Sequence, residues 1–282
     1  MATISSQESD DFQKFRLSDA EMDGLFDTIN RSVADEAHLM SRIAVVRQGE
    51  TLTERLAIAK DEGWFQPMLN DLLRQGVSVV INDILITDAI ATAVASHCDF
   101  PPDWVTQQNL YITPGESQGF DPHCDPHIVI VAHLYGLKEW TIYDKVLENP
   151  VYDSETNTIA DKSNTPEVQS KILVEPGDCF VIPRGRYHSA IALSPASVHL
   201  AIGTAGVRAI DYIWTMADQA IHNPIMRADM TPDEALKMAR EYMAQCVLEP
   251  VCLPRFPRTD RTVNANISSI SFKDLLDALP SK

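Results

Sequence analysis

Apolar positions in the first part of the chain recur with the period of an α-helix. In "LSDAEMDGLFDTINRS", Ser18 and Glu21 have the spacing of a capping box, and Leu25 and Ile29 fall on one helical face. "WFQPMLNDLLRQG" predicts a second helix that ends at its glycine, and "DAIATAVASHC" predicts a third. The β-branched run "VSVVIND" between them predicts one strand. We therefore predict a helical N-terminal part over residues 1–100 that packs on a β-barrel.

The pattern changes near residue 105, where short β-rich runs are separated by proline, glycine and polar turns. They are "WVTQQNLYIT", "HIVIVAHLYG", "EWTIYD", "KILVEPGDCFVIPRG", "RYHSAIAL" and "SVHLAIGTAG". Several strands at this spacing are typical of a double-sheet jelly roll or a similar barrel, which we predict over residues 101–206. A polar segment at residues 146–171 interrupts them as a long loop, and such loops are often lids or binding loops.

Helical periodicity returns in the last part of the chain. "AIDYIWTMADQAI" and "PDEALKMAREYMAQCVL" predict a helical pair within a C-terminal region at residues 207–282. The predicted fold class is therefore mainly β with flanking helices, and its core is a double-stranded β-helix of the jelly-roll type.

The composition indicates the class of protein and its location in the cell. Apolar residues make up 45% of the 282 positions, which predicts a globular protein. No apolar run reaches the length that a bilayer requires and the N-terminus lacks a signal-peptide core, so we expect a cytoplasmic protein that does not act at a membrane. Five cysteines without a CxxC pair indicate buried free thiols.

The charge balance is strongly acidic. A net charge of −17 argues against binding of nucleic acid through its phosphates and favours a cationic partner such as a basic peptide. Solubility alone explains the charge equally well.

Candidate metal ligands stand at the front of the strand candidate "FDPHCDPHIVIVAHLYG". Residues of one parity share a strand face, so His123 and Asp125 are close enough to hold one ion. His188, which leads the strand in "PRGRYHSAIAL", is the candidate third ligand. Two histidines and one carboxylate form the facial triad of non-haem Fe(II) oxygenases, although a zinc hydrolase uses the same ligand types.

Two blocks of the sequence resemble the cupin-type JmjC oxygenases, and among them the ribosomal oxygenase group. The blocks are "NLYITPGESQGFDPHCDPHIVIVAHLYGLKEWTIYD" and "LVEPGDCFVIPRGRYHSAIALSPASVHLAIGT", and the resemblance covers about residues 75–206. It implies a jelly-roll dioxygenase that uses Fe(II) and 2-oxoglutarate. Such an enzyme splits 2-oxoglutarate into succinate and CO₂ while it hydroxylates its substrate.

The resemblance also implies roles for particular residues. The metal positions match His123, Asp125 and His188. Lys138 matches the basic residue that grips the distal carboxylate of 2-oxoglutarate, a task that suits a long cationic side chain. The strand that lines the co-substrate pocket in such enzymes corresponds here to Asn109, Tyr111 and Thr113.

Four further residues near these blocks leave alternatives open. His127 is a candidate substrate contact or a hydrogen-bonded pocket residue, and Arg186 is a candidate substrate contact or a solvated turn residue. His133 is a polar neighbour of the co-substrate or a core residue. His199 matches a histidine of the family, but its position assigns it no role.

The region after the barrel implies an oligomer. Ribosomal oxygenases continue into dimerisation helices and a winged-helix domain, and residues 207–282 fit the helices but not a complete winged helix. The resemblance therefore implies a homodimer that forms through these helices.

The leading hypothesis is a 2-oxoglutarate-dependent hydroxylase that acts on a residue in a peptide or protein. The alternatives are a hydroxylase of a free amino acid or natural-product intermediate, an N-methyl-lysine demethylase, a zinc hydrolase, and a cupin-like module that binds a metal or a ligand without turnover. The simultaneous presence of the metal triad and Lys138 argues against the last two.

Overall fold

The computed structural model describes residues 12–34, 42–47, 50–51, 65–84, 94, 97–98, 105–151 and 166–245. The chain divides into two compact units, with the division after Thr204. Most of the predicted helix at residues 88–98, most of the predicted loop at 146–171 and the tail beyond residue 245 lie outside the described residues. The predicted domain boundaries at residues 100 and 206 stay predictions.

The first unit combines two helices with eleven strands among its described residues. The helices are α1 (Asp19–Ala34) and α2 (Phe65–Arg74). The strands are β1 (Lys14–Arg16), β2 (Ile43–Arg47), β3 (Glu50–Thr51), β4 (Ser78–Ile81), β5 (Val105–Pro114), β6 (Ile128–Tyr135), β7 (Lys138–Val146), β8 (Val168–Val174), β9 (Asp178–Ile182), β10 (Arg186–Ala192) and β11 (Ala196–Thr204). The predicted capping box at α1 is confirmed, because Ser18 N–H donates to Glu21 Oε2 at 2.7 Å and Glu21 N–H donates to Ser18 Oγ at 3.3 Å.

The strands form two sheets in which every pairing is antiparallel. The larger sheet has the order β1-β9-β6-β11-β5-β4-β2-β3, and the smaller has the order β10-β7-β8. Between β5 and β6 the chain adds two isolated bridges to β10, Gln118 with Ile191 and His123 with His188. The segment that carries these bridges occupies a fourth strand position in the smaller sheet. From β5 to β11 the chain therefore crosses between the two sheets at every step except from β7 to β8, which are neighbours in the smaller sheet, and the predicted jelly roll is confirmed.

The N-terminal part contributes more β-structure than its sequence predicted. The sequence predicted only the strand that became β4, whereas β1 pairs with β9, and β2 pairs with both β3 and β4. These strands extend the larger sheet at both edges. Three of them are five residues or shorter, which is too short for period-two alternation to stand out.

Side chains of opposite parity on β6 pack into different apolar clusters. Val129 and Val131 face the smaller sheet and pack with Trp140 of β7. Ile130 and Ala132 face the helices, in the cluster that also contains the buried side chains Leu25, Ile29, Leu69 and Leu73 of α1 and α2. Strand β6 is therefore covered on both faces, and its odd-numbered residues face the space between the sheets.

The turn between β6 and β7 depends on Gly136. Its φ is +73°, and an added Cβ would lie 2.1 Å from the carbonyl oxygen of Ala196 and 2.4 Å from Ser194 Oγ. Gly76 after α2 has φ +72° with no atom within 4 Å of such a Cβ, so it is a matched control. We expect Gly136→Ala to lower the free energy of unfolding by at least about 2 kcal/mol more than Gly76→Ala does.

Urea denaturation of both glycine variants measures this difference. Both variants carry the cost of a left-handed alanine, so the excess loss in Gly136→Ala reports the collision with β11. Equal losses in the two variants would show that this turn can relax.

The second unit begins at residue 205 and is helical where it is described. It contains α3 (Ala209–Ile221), a 3₁₀ helix (Pro224–Arg227) and α4 (Pro232–Gln245). The predicted helical pair is therefore confirmed. Large apolar side chains are exposed on these elements, namely Ile213, Ile221, Ile225, Leu236 and Met243. None of the described helices is long and apolar enough to cross a membrane.

Candidate metal centre

The two candidate histidine ligands face each other across a backbone bridge. His123 N–H donates to the carbonyl oxygen of His188 at 3.1 Å, and His188 N–H donates to that of His123 at 2.8 Å. The ring centroids lie 4.5 Å apart. A doubly bonded antiparallel pair therefore fixes two imidazoles that are far apart in sequence.

A side-chain hydrogen bond at each histidine determines which ring nitrogen can bind a metal. Nδ1 of His123 lies 2.8 Å from the carbonyl oxygen of Asp121, and Nδ1 of His188 lies 3.0 Å from that of Arg186. A carbonyl oxygen only accepts, so each Nδ1 must carry the proton. Nε2 is then the nitrogen of each ring that remains for a metal, which is the arrangement that metal-binding histidines require.

Asp125 completes the set on the same segment. Its carbonyl oxygen accepts from Gly185 N–H at 3.0 Å, and its Oδ2 lies 3.4 Å from Nε2 of His188. Burial raises the pKa of Asp125, but the electrostatic influence of His127, His123 and His188 outweighs burial, so the pKa is lowered overall. The carboxylate is therefore ionised at neutral pH.

The three predicted ligands thus form one group in the structure. One ligand atom from each of His123, Asp125 and His188 lies within 4.8 Å of the others. Burial, followed by the charge of His123, lowers the pKa of His188 to about 4, so this ring is neutral and able to bind a cation at physiological pH. The sequence placed the first two ligands on a strand, whereas they lie just before β6, on the bridged segment.

A cavity of about 370 Å³ contains the three ligands and continues along the larger sheet. Asn109, Tyr111 and Thr113 of β5 line it, as does Lys138 at the start of β7. The N-terminal strands and the residue that follows β4 contribute Ala44, Val46, Ser78, Val80 and Asn82. The sequence missed this wall, because β2 was not predicted and the order of strands in a sheet cannot be read from periodicity.

Lys138 is a buried cation whose polar neighbours are neutral. Its Nζ donates to Thr113 Oγ1 at 3.2 Å and lies 3.0 Å from Nδ1 of His199. No carboxylate in the described part of the chain forms an ion pair with it. Burial lowers the pKa of Lys138 to about 7. A buried amine without a counter-charge, on the wall of a cavity, fits a ligand that supplies the negative charge.

The β5 residues lie where the resemblance implies, and one of them has a fixed orientation. Asn109 Oδ1 accepts from Asp83 N–H at 3.3 Å, so its amide NH₂ group remains for a ligand. Tyr111 stacks on His199 with ring centroids 4.7 Å apart. The individual binding roles of Asn109, Tyr111 and Thr113 stay predictions.

Of the two candidate substrate contacts, His127 lines the cavity and Arg186 does not. His127 is buried and lines the cavity next to the metal ligands. Arg186 is not among the described residues that line the cavity, and its guanidinium donates to the carbonyl oxygen of Tyr143 at 3.3 Å and to Gln169 Oε1 at 3.0 Å. Their roles toward substrate stay predictions.

His133 and Trp140 are both buried, and of the two only Trp140 lines the cavity. His133 donates from Nε2 to the carbonyl oxygen of Gly136 at 3.0 Å, and burial lowers its pKa to about 4. The ring of Trp140 lies 5.8 Å from that of His188 and 5.1 Å from that of His199. Trp140 was missed as a site residue, although the tryptophan in "LKEW" belongs to the pattern that carries the resemblance.

The fold and the donor set together define the class of this protein. A jelly roll with two histidines and one carboxylate at one end of a cavity has a metal site of the facial-triad type. Comparison with known proteins agrees with this class, because residues 85–212 match the JmjC domain family. This stretch, which is somewhat less than half of the chain, is therefore similar to a JmjC domain.

Curated relatives share this part of the chain. It is 35% identical over 91 residues to the bifunctional lysine-specific demethylase and histidyl-hydroxylase NO66 of Dictyostelium discoideum, a match that covers 32% of this chain. It is 36% identical over 98 residues, or 34% of this chain, to ribosomal oxygenase 2 of Mus musculus. The matched segments span only 17% and 20% of the length of these two relatives.

The chain also aligns with a solved structure. The ribosomal oxygenase YcfD of Escherichia coli, in complex with cobalt and 2-oxoglutarate, aligns with 81% of this chain and 58% of its own chain. The TM-score is 0.45 and the identity is 18%.

Proposed function

We propose that this protein is an Fe(II)- and 2-oxoglutarate-dependent dioxygenase that hydroxylates an amino-acid residue in a peptide or protein. The observation that carries the proposal is the presence, in one cavity, of the His123, Asp125 and His188 group together with the buried amine of Lys138. A metal-binding module without turnover has no use for a buried amine that lacks a counter-charge.

The donor set fits Fe(II). His123, Asp125 and His188 would hold the ion through two imidazole nitrogens and one carboxylate oxygen, and the remaining coordination positions would stay open. The hydrogen bonds from Nδ1 of both histidines to backbone carbonyls keep the liganding nitrogens aimed at one point.

Lys138 fits the co-substrate. Iron and 2-oxoglutarate, when bound, would supply the oxidising chemistry, in which one oxygen atom of O₂ enters succinate as CO₂ is released and the other enters the hydroxylated product. Lys138 would bind the distal carboxylate with the N–H that Thr113 and His199 leave available. Trp140 lines the same cavity and packs its ring against those of His188 and His199, which gives the ligands an apolar wall.

A peptide or protein substrate is the favoured class. Relatives that match this part of the chain are a histidyl-hydroxylase and a ribosomal oxygenase. The net charge of −17 favours a basic segment as the partner. Asn109, with its NH₂ group available, and His127 are the residues of the cavity that we propose to contact the substrate.

We further propose a homodimer in the cytoplasm. The support for the dimer is the row of exposed apolar side chains on the helical second unit. Light scattering during size-exclusion chromatography tests it, and a monomeric mass at micromolar concentration would contradict it.

The affinity for 2-oxoglutarate is expected to fall as pH rises above about 7. Burial lowers the pKa of Lys138 to about 7 in the absence of ligand, while a bound carboxylate requires the charged ammonium. Below this pKa the amine is protonated and the Kd for 2-oxoglutarate has its lowest value. Above it the Kd rises roughly tenfold per pH unit, until the pH reaches the pKa that Lys138 has in the complex. Calorimetry on Mn(II)-loaded protein between pH 6 and 9 measures the slope, and a pH-independent Kd would contradict the role of Lys138.

A turnover assay tests the proposed activity and its substrate class. Iron-loaded protein is incubated aerobically with 2-oxoglutarate and with basic peptides, charge-neutral peptides of matched composition, or free amino acids. Succinate is measured by NMR, and the gain of one oxygen atom is measured by mass spectrometry. We expect hydroxylation of a basic peptide, whereas turnover of free amino acids alone would establish the small-molecule alternative.

A further inference from the structure

His199 is buried beside Lys138, and the proposed function uses it only as a neighbour of the amine. It lies on the central strand β11, opposite Tyr111 of β5 and His133 of β6. Its Nδ1 lies 3.0 Å from Nζ of Lys138. Within the described residues, this is the only hydrogen-bond contact of the His199 ring, so a role of the ring would act through Lys138.

Aromatic packing holds the His199 ring in one orientation. The ring stacks on Tyr111 at 4.7 Å with an interplanar angle of 6°, and it meets Trp140 edge to face at 5.1 Å and 84°. Burial, and after it the charge of Lys138, keeps the pKa of His199 well below its usual value. The ring is therefore a neutral imidazole whose Nδ1 faces the amine at a fixed position.

The geometry determines how the Lys138 ammonium is shared. An ammonium group has three N–H donors, and Thr113 Oγ1 and His199 Nδ1 accept two of them. The third remains for the cavity that Lys138 lines. Since three donors on one nitrogen have fixed mutual angles, the two acceptors determine the direction of the third.

We propose that His199 is a positioning residue, whose Nδ1 accepts a hydrogen bond from Lys138 and thereby directs the remaining N–H toward the distal carboxylate of 2-oxoglutarate. This inference rests on the proposed function. It requires a hydrogen-bond acceptor at the position of Nδ1, whereas a purely structural role in packing would require only the ring.

Two substitutions separate the hydrogen bond from the packing. His199→Phe keeps the ring between Tyr111 and Trp140 but removes the acceptor, whereas His199→Asn keeps an acceptor near the place of Nδ1 but removes the ring. The Kd for 2-oxoglutarate is measured by calorimetry on Mn(II)-loaded protein, which cannot turn over, and thermal denaturation establishes that each variant is folded. We expect the Phe variant to bind roughly 10- to 100-fold more weakly than the wild type, and the Asn variant to stay within about threefold of it.

A double-mutant cycle with Lys138→Met tests whether His199 acts through the lysine. We expect His199→Phe to change the Kd by less than about twofold in the Lys138→Met background. Tight binding by the Phe variant, weaker binding by the Asn variant than by the Phe variant, or additive losses in the cycle would each overturn the inference while leaving the proposed function intact. Wild-type protein that does not bind 2-oxoglutarate would overturn the proposed function, and this inference with it.

Discussion

Replacing His188 with alanine is expected to weaken Fe(II) binding by more than about 100-fold and to abolish turnover of 2-oxoglutarate. His188 supplies one of three ligand atoms that lie within 4.8 Å of one another. Its loss leaves one imidazole and one carboxylate, which cannot form the facial set that Fe(II) requires. Calorimetric titration of the metal-free protein with Mn(II) or Fe(II) under argon measures the affinity, and succinate production measures turnover.

The fold of the His188→Ala variant should survive, which makes its result interpretable. The backbone bridge between residues 123 and 188 uses only main-chain groups and remains available to alanine. His222→Ala is the matched control, because His222 is an exposed histidine at the end of α3. We expect wild-type affinity and turnover in the control. Retention of tight iron binding by the His188→Ala variant would show that the metal site is elsewhere.

Replacing Lys138 with methionine is expected to have two opposite effects. The KM for 2-oxoglutarate should rise by roughly 100-fold, because a buried charge pair with the distal carboxylate is lost. The ligand-free protein should become more stable, by on the order of 2 kcal/mol, because the amine is buried without a counter-charge and methionine has a similar volume. A residue that lowers stability but serves ligand binding is typical of a functional site.

Lys171→Met distinguishes this behaviour from a general effect of losing a lysine. Lys171 is an exposed residue of β8 whose Nζ lies 2.7 Å from Glu139 Oε1, and an exposed pair of this kind contributes less than about 1 kcal/mol. We expect this control to leave the KM unchanged and the stability slightly lower. A Lys138→Met protein with an unchanged KM would exclude Lys138 from co-substrate binding.

Local patterns predicted the elements of this fold better than their arrangement. Helix α1 could be read from its capping box and its apolar face, and the strands from β5 to β11 from β-rich runs bounded by turns. The pairing of β1 with β9 could not be read, since it joins short segments that are more than a hundred residues apart. Such pairing depends on edges that only the folded sheet creates.

The sequence indicated the residues of the site but not the contacts between residues that are far apart in the chain. Residue type and spacing indicated His123, Asp125 and His188, and the resemblance indicated Lys138. Neither could show that the amine of Lys138 is shared between Thr113 and His199, because these three residues come from three strands that meet only in the barrel. The cavity wall from β2 was missed for the same reason.

Two sets of hydrogen bonds orient the polar groups that line the cavity. At one end, backbone carbonyls hold the histidine rings so that Nε2 of each is free for a metal. At the other end, Thr113 and His199 hold the Lys138 amine so that one N–H is free for an anion. A ligand with a chelating end and a distal carboxylate matches both ends at once, which is the physical basis for proposing 2-oxoglutarate.

The most direct test of this account is an anaerobic titration of the metal-free protein, first with Fe(II) and then with 2-oxoglutarate, followed by visible absorption. The account predicts the charge-transfer band of a chelated keto acid in the wild type, no band in His188→Ala, and a band that requires much more 2-oxoglutarate in Lys138→Met. A folded, iron-loaded wild-type protein that develops no band would contradict the assignment of an oxygenase site.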